Sequence, residues 1–297
     1  MSDRIPAAEP GALPAPSFGV RLAAAMQRFG PLCAGIDPHP GLVHSWGLSY
    51  DLRGLEHFAM TCVEAFSGRV AAVKPQSAFF EVFGSAGVAI LERTVAALRE
   101  AGTLVILDVK RGDIGTTMDA YAEAFLGKDA VDPPDAITVS PYLGYGSLRP
   151  AIDLAGHTGR GVFVLALTSN PEGPSVQHAQ RDGISVARAI VEGAAADNAE
   201  AASRGEMGHV GLVVGATIGS ALADLGIDLA ASAAPILAPG LGAQGATPAD
   251  LRAVFGAALP QVLPNASRSI LATGPDVSAL RAAAREESER LAEMLAS

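Results

Sequence analysis

The chain has 297 residues, enough for one large domain or two, and a chain of this size buries roughly three quarters of its unfolded surface without staples. Apolar residues make up 49% and mean hydropathy is +0.30, which excludes intrinsic disorder. Twenty-one basic against 31 acidic residues give a net charge of −10, which argues against nonspecific binding to nucleic acid or to an anionic membrane. Cys33 and Cys62 make no disulfide framework, and a reducing cytoplasm is the expected setting.

Residues 1–16 carry four prolines and no apolar core of a signal peptide, so they are expected to form a flexible tail ahead of a domain spanning 17–297. An amphipathic segment near 18–28 comes first. Eight short apolar or β-branched runs follow: LCAGID (32–37), VAAVKP (70–75), LVILDVK (104–110), AITVSPY (136–142), VFVLALTS (162–169), VGLVVGAT (210–217), PILAPGL (235–241) and QVLPNAS (261–267). Near-continuous apolarity is the pattern of parallel strands covered on both faces. Helix-like stretches alternate with them, at about 51–66, 85–100, 118–126, 147–156, 184–203, 219–225, 247–258 and 276–295. Thr247-Pro248 and Asp276 have the residue types of helix starts. The uncharged stretch 229–247 is interrupted by Pro235, Pro239 and glycines, so it is expected to be a strand with its loop and not a membrane helix.

Eight strand–helix units in under 300 residues predict an α/β fold, a single (β/α)8 TIM barrel. A doubly wound open sheet is the alternative, but no GxGxxG follows the first strand. In a barrel the chemistry sits at the C-terminal strand ends, so the informative runs are those that end in charge. The first ends at Asp37, the second at Lys74, and the third at Asp108 and Lys110 within LDVKRGDIGTT (107–117). Asp108 and Lys110, two apart on a strand, should share the inward face, and Asp113 follows in a Gly-flanked loop. Taken singly, each has a bland reading, as a charged turn, a snorkelling lysine or an Asx turn. Together, charges at adjacent strand tops would be costly to bury unless they alternated in sign.

Lys110 lies between two carboxylates, which favour its ammonium form and therefore a proton donor or cation stabiliser over an imine former. At the far end of the barrel order, PGLGAQG (239–245) and PNASRSIL (264–271) could hold a phosphate. Backbone N–H groups, the Gln244 amide and the Arg268 guanidinium would be the donors.

With these residues the chain resembles the orotidine 5′-phosphate decarboxylase family, in particular its longer bacterial subgroup. The family motif D-x-K-x-x-D-I-x-x-T is matched by Asp108, Lys110, Asp113, Ile114 and Thr117, and the resemblance runs from about Cys33 to Ile270. It implies a cofactor-free, metal-free barrel working as a cytoplasmic homodimer with shared active sites, whose substrate is orotidine 5′-phosphate. It further implies that Asp37 and Lys74 contact the ribose, that Asp108 faces the substrate carboxylate and that Lys110 protonates C6. Asp113 and Thr117 would reach the partner's site, with Ile114 between them as a substrate-binding position. Ser169 would meet the pyrimidine amide edge, and Gln244 and Arg268 the phosphate. The segment 170–183 is longer than in compact members, so Asn170 and Gln177 are left without a place. Two rivals are a metal-dependent sugar-phosphate decarboxylase, for which Glu81 would be an added carboxylate, and a nucleotide-binding regulator without turnover.

Overall fold

The computed structural model describes residues 16–240 and 248–296, so most of the expected 1–16 tail and the 241–247 loop lie outside the described residues. The eight apolar runs become eight strands: β1 (Cys33–Ile36), β2 (Ala72–Pro75), β3 (Leu104–Arg111), β4 (Ala136–Val139), β5 (Gly161–Leu167), β6 (Val210–Val214), β7 (Ile236–Pro239) and β8 (Val262–Ala266). Each pairs in parallel with its chain neighbours. β1 closes on β8 through Cys33↔Asn265 and Ala34↔Ala266, which makes a closed barrel and rules out the open sheet.

Alternation along the strands separates two cores. Cys33, Ala72, Ile106, Phe163, Leu237 and Leu263 belong to one, together with Phe18 and Leu22. Their neighbours Ala34, Val73, Leu107 and Val164 belong to the other, packed with the surrounding helices. α1 (Phe18–Phe29) belongs with the first core, and the helices packed in the second include α2 (Leu52–Phe66), α3 (Gly84–Glu100), α4 (Gly115–Leu126), α5 (Arg149–Thr158), α6 (Val186–Asp197), α7 (Ala221–Asp224), α8 (Pro248–Phe255) and α9 (Val277–Ala296). Asp276 Oδ1 accepts from Ala279 N at 2.8 Å and caps α9 as its residue type suggested. Among the described residues no helix is long and apolar enough to cross a membrane.

Several boundaries differ from the sequence reading. The helix expected from 118 starts at Gly115, and the stretch 184–203 divides into α6 and a short turn, Ala199–Ser203. The break falls at Asn198, whose buried amide donates to Val210 O and Ser232 O and accepts from Val210 N. The segment 170–183 has structure of its own: a helical turn, Pro174–Gln177, and an antiparallel pair linking Gln180–Arg181 to Ile184–Ser185.

α1 lies against the strands' N-terminal ends. Ser17 caps it, its hydroxyl accepting from Val20 N at 3.4 Å. Arg21 donates to Asp135, just ahead of β4, and to Gly159 O, just ahead of β5. Phe18 meets Phe163 edge-on, with ring centroids 5.7 Å apart, and both are fully buried. Truncating Phe18 to Ala should cost about 3–5 kcal/mol in denaturant unfolding, with KM unaltered because the ring lies at the end opposite the charged strand tops. A cost under about 1 kcal/mol would mean that α1 is no part of the barrel core.

Candidate active site

Strand parity places the charges. Ala72 and Ile106 are interior residues, and two positions on from each come Lys74 and Asp108. Both are buried, at 4% and 7% exposure. Lys74 Nζ donates to Asp108 Oδ2 at 2.9 Å and Lys110 Nζ to Asp108 Oδ1 at 2.6 Å. Two further donors complete the carboxylate: Gln76 Nε2 to Oδ2 and Thr138 Oγ1 to Oδ1, each at 2.8 Å. Sequence reasoning missed both. Each still had a signal: Gln76 directly follows the Lys74-Pro75 strand end, and Thr138 is the polar residue within AITV.

Lys110 meets Asp108 as expected, but not by simple alternation. The β3–β4 register shifts between Leu107 and Arg111, and Lys110 has left the extended conformation with φ +47°. Its side chain is 47% exposed, so it reaches Asp108 from the barrel mouth and not from within the wall. The expected inward parity of Lys110 is therefore corrected: a bulge re-aims the side chain.

Electrostatics support the charged forms. Burial opposes the Lys74 ammonium, but the carboxylates of Asp37 and Asp108 outweigh it and raise the pKa above the ordinary lysine value. Burial likewise opposes the Asp108 carboxylate, and the two lysines outweigh it, holding the group well below the usual range. Asp37, half-buried at the end of β1, keeps Oδ1 buried and without a hydrogen-bond partner. Gly35 is required beside it: a Cβ there would collide with the Ser267 hydroxyl from the loop after β8.

The other expected positions are more open. Asp113 is half-buried and does not join the lysines within this chain; its Oδ1 accepts from Ile114 N at 2.8 Å. Ile114 is 61% exposed, and Thr117 is exposed on the first turn of α4. Ser169 is exposed just past β5, and Arg268 is exposed at the start of the turn Arg268–Leu271 after β8. Gln244 lies outside the described residues. Gln177 fastens the 170–183 segment to the end of β5, accepting from Thr168 N and donating to Thr168 Oγ1, while Asn170 donates to Glu172. A cavity of about 350 Å³ is lined by Gln76, Asp108 and Lys110 together with Glu81 and Arg111. Glu81 accepts from Ser77 and from Arg111, at 2.6 and 2.8 Å. Among the described residues no group of three or more His, Cys, Asp or Glu side chains is disposed to hold a metal ion.

A sequence profile of the Orotidine 5′-phosphate decarboxylase / HUMPS family matches residues 30–283. The orotidine 5′-phosphate decarboxylase of Streptomyces coelicolor is 61% identical over 269 residues, covering 90% of this chain and 94% of that one. That of Corynebacterium glutamicum is 50% identical over 268 residues, covering 89% and 94%. A crystal structure from Streptomyces avermitilis superposes with a TM-score of 0.90 at 57% identity, covering 96% of this chain and 98% of that one. The Leishmania donovani OMP decarboxylase superposes with a TM-score of 0.71 at 32% identity, covering 95% and 100%.

The ion pairs predict a pH dependence of stability. Folding lowers the Asp108 pKa, so its contribution is complete above the unfolded value near ~3.9 and fades as pH falls from there. Folding raises the Lys74 pKa, so its contribution is complete below the unfolded value near ~10.4 and fades as pH rises beyond it. Asp108→Asn should therefore cost about 3–5 kcal/mol, evenly between about pH 5 and 9, with the difference shrinking below about pH 4. Urea melts of both proteins across pH check this; a difference that declined steadily from about pH 8 to 5 would contradict the charged, paired state.

Proposed function

The chain belongs to the orotidine 5′-phosphate decarboxylase / HUMPS family, and from that premise we propose how its own residues decarboxylate orotidine 5′-phosphate to UMP, the last step of UMP synthesis. The reaction breaks the bond from C6 to the carboxylate carbon, releases carbon dioxide, leaves the electron pair on C6 and adds one proton there. That pair occupies an sp² orbital orthogonal to the ring π system, so resonance gives it little relief. Electrostatic stabilisation must carry the reaction.

The observation that carries this reading is the Lys74–Asp108–Lys110 array, with the ammonium of Lys110 at the barrel mouth. Asp108 holds Lys110 in place and faces the substrate carboxylate; Lys110 stabilises the developing carbanion and delivers the proton. Lys74 and Asp37 take the ribose, and the unpartnered Asp37 Oδ1 is an acceptor that a ribose hydroxyl would satisfy. Ser169 takes the pyrimidine amide edge. Arg268, without an ion-pair partner among the described residues, takes the phosphate with Gln244.

One ammonium ~4 Å from the developing anion is worth roughly 4 kcal/mol at an effective dielectric of 20, whereas enzymic accelerations require roughly 8–23 kcal/mol. The difference comes from the preorganised array and from binding the phosphate far from the reacting carbon. Loss of orotidylate absorbance tests the assignment. Wild-type protein should turn over, and Lys110→Ala should lose at least about a thousandfold in kcat with its fold and UMP affinity retained. A variant keeping a tenth of wild-type activity would remove Lys110 as proton donor.

The working unit is a cytoplasmic homodimer with shared sites. Its support is that Asp113 stays off the lysines of its own chain while Ile114, next to it in sequence, and Tyr142 and Leu143, after the neighbouring strand β4, are 61%, 79% and 52% exposed. Both cysteines are free and buried, in keeping with a chain that needs no disulfide. Asp113 and Thr117 would complete the partner's site, Ile114 packing against the ligand between them. Inactive Lys110→Ala and Asp113→Ala proteins, unfolded together and refolded, should then regain about a quarter of wild-type activity. Half the dimers are mixed, and each mixed dimer has one intact site of two. No recovery, with wild-type refolding in good yield alongside, would place Asp113 in its own subunit's site.

A further inference from the structure

Lys110 is the residue on which the proposed chemistry turns, and its backbone stands at φ +47°, a conformation that an L-residue holds only when its surroundings impose it. The β3–β4 ladder pairs Leu107 with Ile137 and next Arg111 with Val139, so β3 spends four residues where β4 spends two. Inside this bulge the Lys110 N–H donates to the Thr138 hydroxyl, at 2.9 Å. That hydroxyl donates its own proton to Asp108 Oδ1, at 2.8 Å, the same oxygen that receives the Lys110 ammonium at 2.6 Å. A hydroxyl has one proton and two lone pairs, and a carboxylate can only accept, so the direction of each bond is fixed.

We propose that Thr138 is a positioning residue for the reaction: its single hydroxyl clamps the strained Lys110 backbone and the Asp108 carboxylate to one point on β4. The proposal rests on the assignment of Lys110 as proton donor. Thr138 is 1% exposed and lies in a strand otherwise made of Ala136, Ile137 and Val139. A valine would fill the same space and suit a buried strand at least as well. Only the hydroxyl distinguishes threonine from it, and its proton and one of its two lone pairs are both used. Without it, the Lys110 N–H and one lone pair of Asp108 lose their partner together, and the ammonium loses the fixed origin of its side chain.

The test compares Thr138→Val with Thr138→Ser. Thr138→Val should lower kcat at least about tenfold with KM within about threefold, because misplacement of a reacting group acts on the chemical step more than on binding. Thr138→Ser should recover most of that loss. Independently of activity, hydrogen exchange at the Lys110 amide should accelerate at least about tenfold in Thr138→Val and not in Thr138→Ser. If the valine protein fails to fold, Thr138→Ala against Thr138→Ser repeats the comparison, since these differ by the hydroxyl alone. A valine variant with kcat within about twofold of wild type, or an unchanged Lys110 amide, overturns the proposal, as does a serine variant as impaired as the valine one. Wild-type protein that does not decarboxylate orotidylate would sink the functional reading instead, and the amide exchange would then still decide whether Thr138 holds Lys110.

Discussion

A carboxylate withdrawn from water inside a barrel costs several kcal/mol unless its lone pairs are answered, and Asp108 is answered by Lys74, Gln76, Lys110 and Thr138. These donors come from the ends of β2, β3 and β4 and the residue just after β2. The site therefore requires three consecutive strand tops in register, which parallel pairing supplies. Removing Lys74, Gln76 or Thr138 leaves a lone pair of Asp108 unanswered in a largely buried position, whereas Lys110 answers its oxygen from the open mouth. Asp37 and Asp108 balance the two lysines, and Arg111 at the end of β3 pairs separately with Glu81. That balance is what allows four charges to sit at one barrel mouth.

The opposite end of the barrel meets the same constraint with a different outcome. Asp135, buried just ahead of β4, binds Arg21 at 2.6 Å and lies 3.6 Å from Arg99, and it accepts from Val105 N at 3.0 Å. Arg21 and Arg160 also donate to the backbone carbonyls of Gly159 and Leu126, although Arg160 Nε stays buried without a partner. There Asp135 and Arg21 are matched to the chain itself, which serves stability. At the top, among the described residues, Asp37 Oδ1 is buried without a partner and Ser169 and Arg268 are exposed, and a buried acceptor left unanswered is what a bound hydroxyl would satisfy. Fold and function divide along the barrel axis.

This division also explains what the sequence reveals. All eight strands are legible because each is an apolar run, and burial on both faces leaves no other composition. Asp108 and Lys74 stand out because they interrupt such runs. Closure is not legible, since it depends on β1 meeting β8 across more than two hundred residues. The conformation of Lys110 is hidden for a different reason: a bulge is a backbone event, and D-V-K reads as plain alternation. Thr138 is hidden because threonine is a good strand residue whether or not its hydroxyl matters. Gln76 looks like the first residue of a loop, and only the pairing of strands β2 and β3 brings its amide to Asp108. The 170–183 segment reads as an insertion of no defined form, because its order comes from the amide of Gln177 gripping Thr168 nine residues back.

The bulge at Lys110 has a cost and a return. A non-glycine residue in the left-handed region costs about 1–3 kcal/mol, and a free lysine side chain carries roughly 2 kcal/mol of rotamer entropy. A regular strand would have avoided the first cost, and would have pointed Lys110 into the wall beside Lys74, where a second buried ammonium competes for the same carboxylate. The bulge moves Lys110 to the mouth, half in solvent, while the Thr138 hydroxyl holds its amide and Asp108 holds its ammonium. Anchored at both ends, the side chain has lost its freedom before any substrate arrives. In the proposed reaction the strain is thus part of the stability that the folded barrel expends to fix a positive charge where the carbanion would form, and the transition state would not have to supply that ordering again.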